Sequence, residues 1–379
     1  MSAAENVVDI AAETITQRDL ANSETPVLLM VSGGSDSTAL AYIACELHKR
    51  ETIGMVGIMH VNHCLRGEAS DGDAEFVREL AYALGIPFFL YNIDIGEMVR
   101  ESGDNLEALA RRERYSAAND ALEKLCRMAG EPVNSGRIFT AHTQNDRVEN
   151  FYMRSIVGTG PGGFRSMLYR NGAVARPLLD TNRDQLRDYL QRRALDAEAD
   201  ADVVFVRDES GNLWREDATN AHTDQFRGYV RHTMLPPALE RNPRLFETLC
   251  RSMNLIADED DMLDEQARTI VESQVRWLAC SENPTDEDFC QGCLVKPAFA
   301  KHPVPLQRRA MMIVLQNMLG PDARVETRSI EVALAAFEQG KPISGYTNNI
   351  QGDLALSSNK QGLRIEPMEA YRSRRKKRS

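Results

Sequence analysis

No apolar run in this 379-residue chain approaches the roughly 18 residues that a membrane-spanning helix needs. The first twenty residues lack a basic stretch followed by an unbroken apolar one, so a secretory signal is not expected and a cytoplasmic protein is. Cysteine is sparse: seven residues, an odd number scattered over the chain, do not read as a disulfide framework. Basic residues are outnumbered, 45 Lys and Arg against 56 Asp and Glu, and the net charge of −11 taken alone argues against a nucleic-acid partner. What is present is ordinary for a globular protein. Hydrophobic residues at 42% and charged residues at 27% supply a sizeable core and exclude wholesale disorder. At about 150 residues per domain, the length suggests two domains.

The charge is unevenly spread. Residues 254–292 hold eleven acidic side chains against Arg268 and Arg276, whereas the last eight residues, Arg372 to Ser379, carry +6. Global acidity therefore coexists with a basic tail, and nucleic acid is not excluded.

Residues 26–141 alternate short apolar runs with amphipathic stretches. Strands are expected at 26–31, 52–61, 87–93 and 137–141, with helices at 38–49, 71–84, 106–128 and from about Asn145. That rhythm implies an α/β domain with a parallel sheet, whose ligands sit beyond the carboxyl ends of the strands. A further helix is expected at 182–194. Pro236, Pro237 and Pro243 then cluster and the βα rhythm stops, which places a boundary between domains 1–236 and 237–379. Beyond it, 244–275 and 304–338 read as helical, and 341–366 as a small β element.

Ser32-Gly33-Gly34-Ser35-Asp36-Ser37 lies between the first strand and the first helix of this alternation. Glycines permit tight positive-φ turns, and the helix N-terminus adds unpaired N–H groups, so the segment is suited to cradle phosphate. Asp36 would repel phosphate unless a cation intervenes, which points to Mg²⁺. The segment is not the GxxxxGK[ST] nucleotide loop, since Lys is absent and the spacing differs. Downstream, His142, Asp146 and Glu149 fall at i, i+4 and i+7, the spacing of one helical face at the end of the fourth strand. Two carboxylates there can bind an ammonium ion, and one can accept its proton; the same trio could hold a metal or form a capped helix start. Taken alone, Arg111, Arg114, Arg227 and Arg231 read as solvated charges on helices, although a guanidinium fork matches phosphate geometry.

The hexapeptide resembles the PP-loop of the ATP pyrophosphatase group. Further segments occur in register with it: His60-Val-Asn-His-Cys-Leu-Arg66, Asn105 to Tyr115, Ala141 to Glu149, Gly158 to Met167, Arg176-Pro-Leu-Leu179, and Glu216 to Asn220 with Arg227 and Arg231-His-Thr-Met-Leu-Pro236. In this order the set is similar to the tRNA(Ile)-lysidine synthetases, closely over 26–236 and more weakly over 244–366, where Leu306-Gln-Arg-Arg309 matches. The resemblance implies a PP-loop ATP pyrophosphatase domain, of the adenine nucleotide alpha hydrolase type, followed by a smaller, mainly helical tRNA-binding domain. It implies a ligase that uses ATP and Mg²⁺ to adenylate the wobble cytidine of a CAU-anticodon tRNA(Ile). Free L-lysine then displaces AMP, giving lysidine and changing codon specificity from AUG to AUA. Ser32, Gly33, Gly34, Ser35, Asp36 and Ser37 would bind ATP, with Asp36 on the metal. Asp36, His142, Asp146, Glu149, Arg111 and Arg114 would be catalytic. Arg227, Arg231, Arg308 and Arg309 would contact tRNA or phosphate. A second copy of the chain is a candidate homodimer partner, and no membrane partner is expected.

Two departures from the resemblance stand out. The family pattern has two adjacent Asp residues after the His, and here the first is Asn145. An Arg-Asn pair expected near the end of the domain is Arg227-Gly228. Alternative readings are a PP-loop tRNA thiolase, for which Cys290-Gln-Gly-Cys293 supplies a CxxC far from the loop, and a catalytically impaired ATP- and tRNA-binding protein.

Overall fold

The computed structural model describes residues 6–65, 67–103, 105–215, 226–278, 291–320 and 323–376, with only the backbone of 68 and 69. Arg66, the Glu216–Asn220 segment, Cys290 and the last three residues of the tail lie outside the described residues. The chain divides into two compact units, Met1–Asn254 and Leu255–Ser379.

The first unit opens with α1 (Val7–Gln17), capped by the Asn6 side chain, which accepts from Val8 N. Strand–helix alternation follows: β1 (Val27–Met30), α2 (Ser35–Lys49), β2 (Val56–Asn62), α3 (Glu68–Leu84), β3 (Phe88–Asn92), α4 (Ile95–Ser102), α5 (Leu106–Ala129), β4 (Arg137–Phe139) and α6 (Gln144–Val157). A two-residue hairpin, β5 (Arg170–Asn171) and β6 (Val174–Ala175), precedes α7 (Arg183–Ala199). The sheet order is β3-β2-β1-β4-β6-β5, parallel except for the β5–β6 pair. The parallel sheet expected from the alternation is therefore present. β1 is wedged between β2 and β4, so the chain leaves it for one side and later returns on the other. The crevice at such a reversal opens at the carboxyl ends of the strands, where β1 delivers the Ser/Gly hexapeptide and β4 delivers the His142–Glu149 segment.

Both sheet faces are covered, which explains the nearly unbroken burial of Val27, Leu28 and Leu29. On one face α2 is buried along most of its length, from Ala39 to Leu47, and packs with α1 and α7. On the other, Ala117, Ala118, Ala121, Leu122 and Leu125 of α5 pack against Leu28, Met59 and Ile138.

Unit one continues past Pro236-Pro237. Helices α8 (Phe226–Tyr229) and α9 (Leu235–Arg241) flank a π turn at Val230–Met234, and α10 (Leu245–Gln274) follows. Val230, Leu235, Cys250 and Met253 bury against Val148 of α6, which ties the residues up to Asn254 to the first unit. Arg147, 1% exposed, reaches Asn254 Oδ1 at 2.7 Å and Tyr169 Oη at 3.1 Å.

The second unit is helical over most of its regular length, with 255–274 of α10, α11 (Val304–Leu319), α12 (Thr327–Leu334) and α13 (Met368–Lys376). Its helices pack on an antiparallel sheet that the sequence suggested only over 341–366. β7 (Val275–Trp277), β8 (Cys293–Val295), β11 (Thr347–Ile350), β12 (Leu354–Asn359) and β13 (Gly362–Pro367) pair in the order β11-β12-β13-β8-β7. A separate hairpin joins β9 (Phe337–Glu338) to β10 (Lys341–Pro342). Phe299, Met311, Val314, Leu315, Leu356 and Ile365 form the core. Among the described residues, no helix is long and apolar enough to cross a membrane.

Candidate active site

The hexapeptide is a folded loop. Gly33 sits at φ +93°, a conformation that side chains rarely adopt, and Gly34 caps α2. The Ser37 hydroxyl donates to Gly34 O at 3.0 Å and accepts from Ser32 N at 3.2 Å, while the Ser32 hydroxyl lies 3.1 Å away. Thr38 Oγ1 donates to Gly33 O at 3.1 Å. Arg215 lies against this loop: its N–H donates to Gly33 O at 2.9 Å and its Nε to Asp73 Oδ1 at 2.9 Å. A Cβ at Gly72 would come 2.8 Å from Arg215 Nη2, so the tip of the arginine packs directly over that glycine.

Asp36 is in the first turn of α2, where a carboxylate suits the helix dipole. Asp146 and Glu149 share a face of α6, as the spacing predicts. His142 does not: α6 starts at Gln144 with Thr143 as its N-cap, so His142 precedes the helix. Asp146 closes the cap, its Oδ2 accepting from Thr143 N at 2.8 Å and Thr143 Oγ1 at 3.0 Å. The capped helix start and the carboxylate pair are thus one object. It is buried rather than solvated, with Asp146 at 6% and Glu149 at 1% exposure.

The free oxygens of these carboxylates meet arginines. Arg183, the first residue of α7, donates Nε to Asp36 Oδ2 at 3.1 Å, Nη1 to Glu149 Oε1 at 3.0 Å and Nη2 to Asp146 Oδ1 at 2.5 Å. Arg227 donates to Glu149 Oε2 at 2.7 Å and Asp146 Oδ1 at 2.6 Å. Arg231 reaches both oxygens of Glu149, at 2.8 and 3.2 Å. Burial pushes the Glu149 carboxyl up, but the Arg231 hydrogen bond and the charges of Arg183 and Arg227 prevail and hold it at about 2. Asp36 is moved the other way: burial raises its pKa despite Arg183, and Asp146 adds to the rise. Burial lowers the Arg183 pKa, but the Asp146, Glu149 and Asp36 charges win and hold it above the usual value.

His142 Nδ1 lies 2.9 Å from Thr140 Oγ1, and burial lowers its pKa to about 4, so the ring is neutral at pH 7. His60 Nδ1 donates to Val31 O at 2.8 Å, a contact that fixes the end of β1. Exposed Arg114 of α5 donates to His63 Nε2 at 3.3 Å, and Arg111 lies over the Tyr115 ring at 5.0 Å.

The structure therefore brings Asp36, Asp146, Glu149, Arg227 and Arg231 together, through Arg183. The sequence reading missed Arg183. Its signal is a cation at the first position of a helix, where the dipole disfavours one. Arg308 and Arg309 belong to the second unit. Arg308 pairs with Glu331 at 2.7 Å, and Arg309 is held by Asp264 at 2.7 Å and by Asp260. Cys293 is fully buried in β8 with its thiol pushed up to about 12 by burial. Among the described residues, no group of three His, Cys, Asp or Glu side chains is placed to hold a metal.

The PP-loop domain family model matches residues 7–238. A protein named tRNA(Ile)-lysidine synthase from Chlorobaculum tepidum is 31% identical over 68% of this chain and 70% of its own length. This chain belongs to the PP-loop family of the tRNA(Ile)-lysidine synthases. A Thermus thermophilus synthase is 32% identical over 90% of the chain, and that of Shouchella clausii 28% over 86%. The chain spans 59% and 64% of the length of these two relatives. The U34-tRNA thiolase of Methanococcus maripaludis, solved with its [4Fe-4S] cluster, has 16% identity and a TM-score of 0.44, covering 66% of this chain and 79% of its own.

Within the PP-loop domain, the departure at Asn145 has a physical reading. Asn145 Oδ1 accepts from Arg183 N at 3.0 Å, a task that needs an acceptor oxygen and no charge. Gly228 lies in α8, one residue after Arg227, and the Arg227 contacts are made without a neighbouring Asn.

Proposed function

We propose that this chain is a tRNA(Ile)-lysidine synthase. The observation that carries the reading is the meeting of the PP-loop carboxylate Asp36 with the α6 carboxylates Asp146 and Glu149 on one guanidinium. A nucleotide-phosphate half and an amine half would thus adjoin, as a two-step adenylation and amination requires. In the first step the 2-oxygen of the wobble cytidine of a CAU-anticodon tRNA attacks the α-phosphorus of ATP, and diphosphate leaves. In the second the amine of free lysine attacks C2 of that ring, and AMP leaves.

The PP-loop amides and the start of α2 would hold the diphosphate. Asp36, partly exposed and in the first turn, fits a Mg²⁺ that takes one carboxylate and completes its shell with phosphate oxygens. Such an ion would supply charge neutralisation for the leaving diphosphate. Asp146 and Glu149 would receive the ammonium of lysine. A carboxyl held at about 2 is a poor base, so Glu149 must lose guanidinium contacts before it can take the ammonium proton. Arg227, with 43% of its side chain exposed against 18% for Arg183, is the arginine that can move aside, and it would then meet phosphate. His142 sits next to these groups as a neutral ring, and Arg111 and Arg114 would add positive charge for the tRNA or the transition state.

The second unit would bind tRNA, with Arg308, Arg372, Arg375 and Lys376 among the exposed cations of its described residues. The site would work in the cytoplasm, where ATP, free lysine and tRNA occur. The deciding experiment incubates the protein with ATP, lysine and unmodified CAU-anticodon tRNA(Ile), followed by mass spectrometry of the digested nucleosides. Lysine-adducted cytidine is the expected product; unchanged cytidine with an unmodified ATP pool rejects the reading.

A further inference from the structure

Arg183 is outside every motif that the sequence reading picked out, yet it has more partners in the site than any of them. Its three nitrogens each go to a different carboxylate, on α2 and α6, and its backbone N–H goes to Asn145. The Asn182–Gln185 capping box fixes the start of α7, so the arginine is delivered from a rigid element. A lysine could not replace it, because one ammonium cannot hold three carboxylates in the planar directions that a guanidinium fork serves.

We propose that Arg183 is the positioning residue that sets the distance and orientation between the ATP half and the lysine half of the site. This rests on the proposed function. Without Arg183, Asp36 faces Asp146 with no cation between them, and the Arg227 and Arg231 contacts serve only the α6 carboxylates. Asp36 would turn away from the loop geometry and Asp146 would be drawn to its cap and to Arg227 alone, so both ligands would meet a misplaced carboxylate.

A half-buried arginine on the same helix provides the control. Arg193 of α7 is 17% exposed against 18% for Arg183, and bonds Glu46 at 2.7 Å while stacking over Tyr42. It serves the packing of α7 on α2 and touches none of the site carboxylates. Dissociation constants for MgATP and for radiolabelled lysine, measured by equilibrium dialysis on the full chain, separate the two roles. Arg183→Gln and Arg183→Lys are each expected to weaken both ligands by roughly tenfold, the loss of one charged hydrogen bond. Arg193→Gln is expected to lower the melting temperature and leave both constants unchanged. Guanidinium ion at millimolar concentration should restore part of the binding to Arg183→Ala and leave the constants of Arg193→Ala as they are.

Unchanged MgATP binding in the folded Arg183→Gln protein overturns the inference, as does an effect on one ligand alone or an equal effect from Arg193→Gln. A wild-type protein that binds MgATP but no lysine defeats the lysine half of the proposed function instead. Arg183 then stands or falls on the MgATP arm, where the same tenfold loss is expected.

Discussion

Two clusters of arginine and carboxylate, one in each unit, differ in a way that composition does not show. In the second unit Arg309 of α11 meets Asp260 and Asp264, one turn apart on α10, and Arg374 of α13 meets Glu366, eight residues earlier. These are struts: each arginine joins its helix to one neighbouring element. In the first unit, six charged side chains come from α2, α6, α7 and the 227–231 stretch, and Glu149 alone accepts from three guanidiniums. A helix bundle can be fastened with one pair at a time. The set at the carboxyl ends of β1 and β4 instead gathers four segments at one point, and its Arg227 is half-exposed. Burial of charge is common to both clusters; convergence from distant segments distinguishes them.

The largest effect should follow Asp36→Asn, which removes charge from the first cluster while keeping shape. Diphosphate release is expected to fall by about a thousandfold with the far-UV spectrum unchanged. A variant releasing diphosphate at near wild-type rate would reduce Asp36 to a strut. The matching change in the second unit, Arg309→Ala, removes the guanidinium that Asp260 and Asp264 share and should lower the unfolding free energy by about 3 kcal/mol in urea titrations. MgATP affinity should not follow it; if it does, the division into strut and site is wrong.

The pH dependence of stability should also separate the clusters. His142 titrates at about 4 in the folded state, against 6.5 for the free side chain. The unfolded chain therefore takes up the proton first, and stability present above pH 6.5 is lost as pH falls toward 4. The loss reaches about 3 kcal/mol, and His142→Gln should flatten the profile of wild-type urea midpoints over that window.

The βα rhythm and the PP-loop were legible because they rest on local rules: apolar period, glycine at a turn, a cap before a helix. Asp146 and Glu149 were legible as a helical pair for the same reason. Arg183 was not, since a single arginine at a helix start acquires its meaning only from Asp36, 147 residues earlier in the chain. The strands β5 and β6 have two residues each, too few to carry an alternation, and β7 and β8 have three. The division of the chain was read from prolines. The packing of Cys250 and Met253 against Val148 is tertiary and leaves no mark in local composition. Arg309 looked like a nucleic-acid contact for want of any sign that acidic residues some 45 positions earlier would claim it.

Smaller effects test the edges of the comparison. Glu149→Gln keeps the volume but loses the charge and turns one of the two acceptor oxygens into an amide donor, and is expected to raise the lysine KM by about tenfold, more than the ATP KM. A change confined to ATP would place the amine elsewhere. In the second unit, deleting the tail from residue 372 is a poor probe of tRNA binding. It would remove Arg374 from Glu366, whose side chain is 2% exposed. The double variant Arg372→Ala, Arg375→Ala spares that strut. It should weaken tRNA binding a few-fold at low salt and reduce the slope against log salt by about 1 to 2. An unaltered slope would leave Arg308 and Lys301 as the cations to change next.

The loop around Ser37 has a thermodynamic consequence. Its hydroxyl ties Ser32 to Gly34 while Thr38 ties Gly33, so the curve of the backbone exists before any anion arrives. Most loops that wrap a ligand give up conformational freedom at the moment of capture, and that loss is subtracted from the affinity. Here the ordering has been done during folding, by four hydroxyl contacts within seven consecutive residues. An incoming phosphate would then meet a backbone that needs no further ordering.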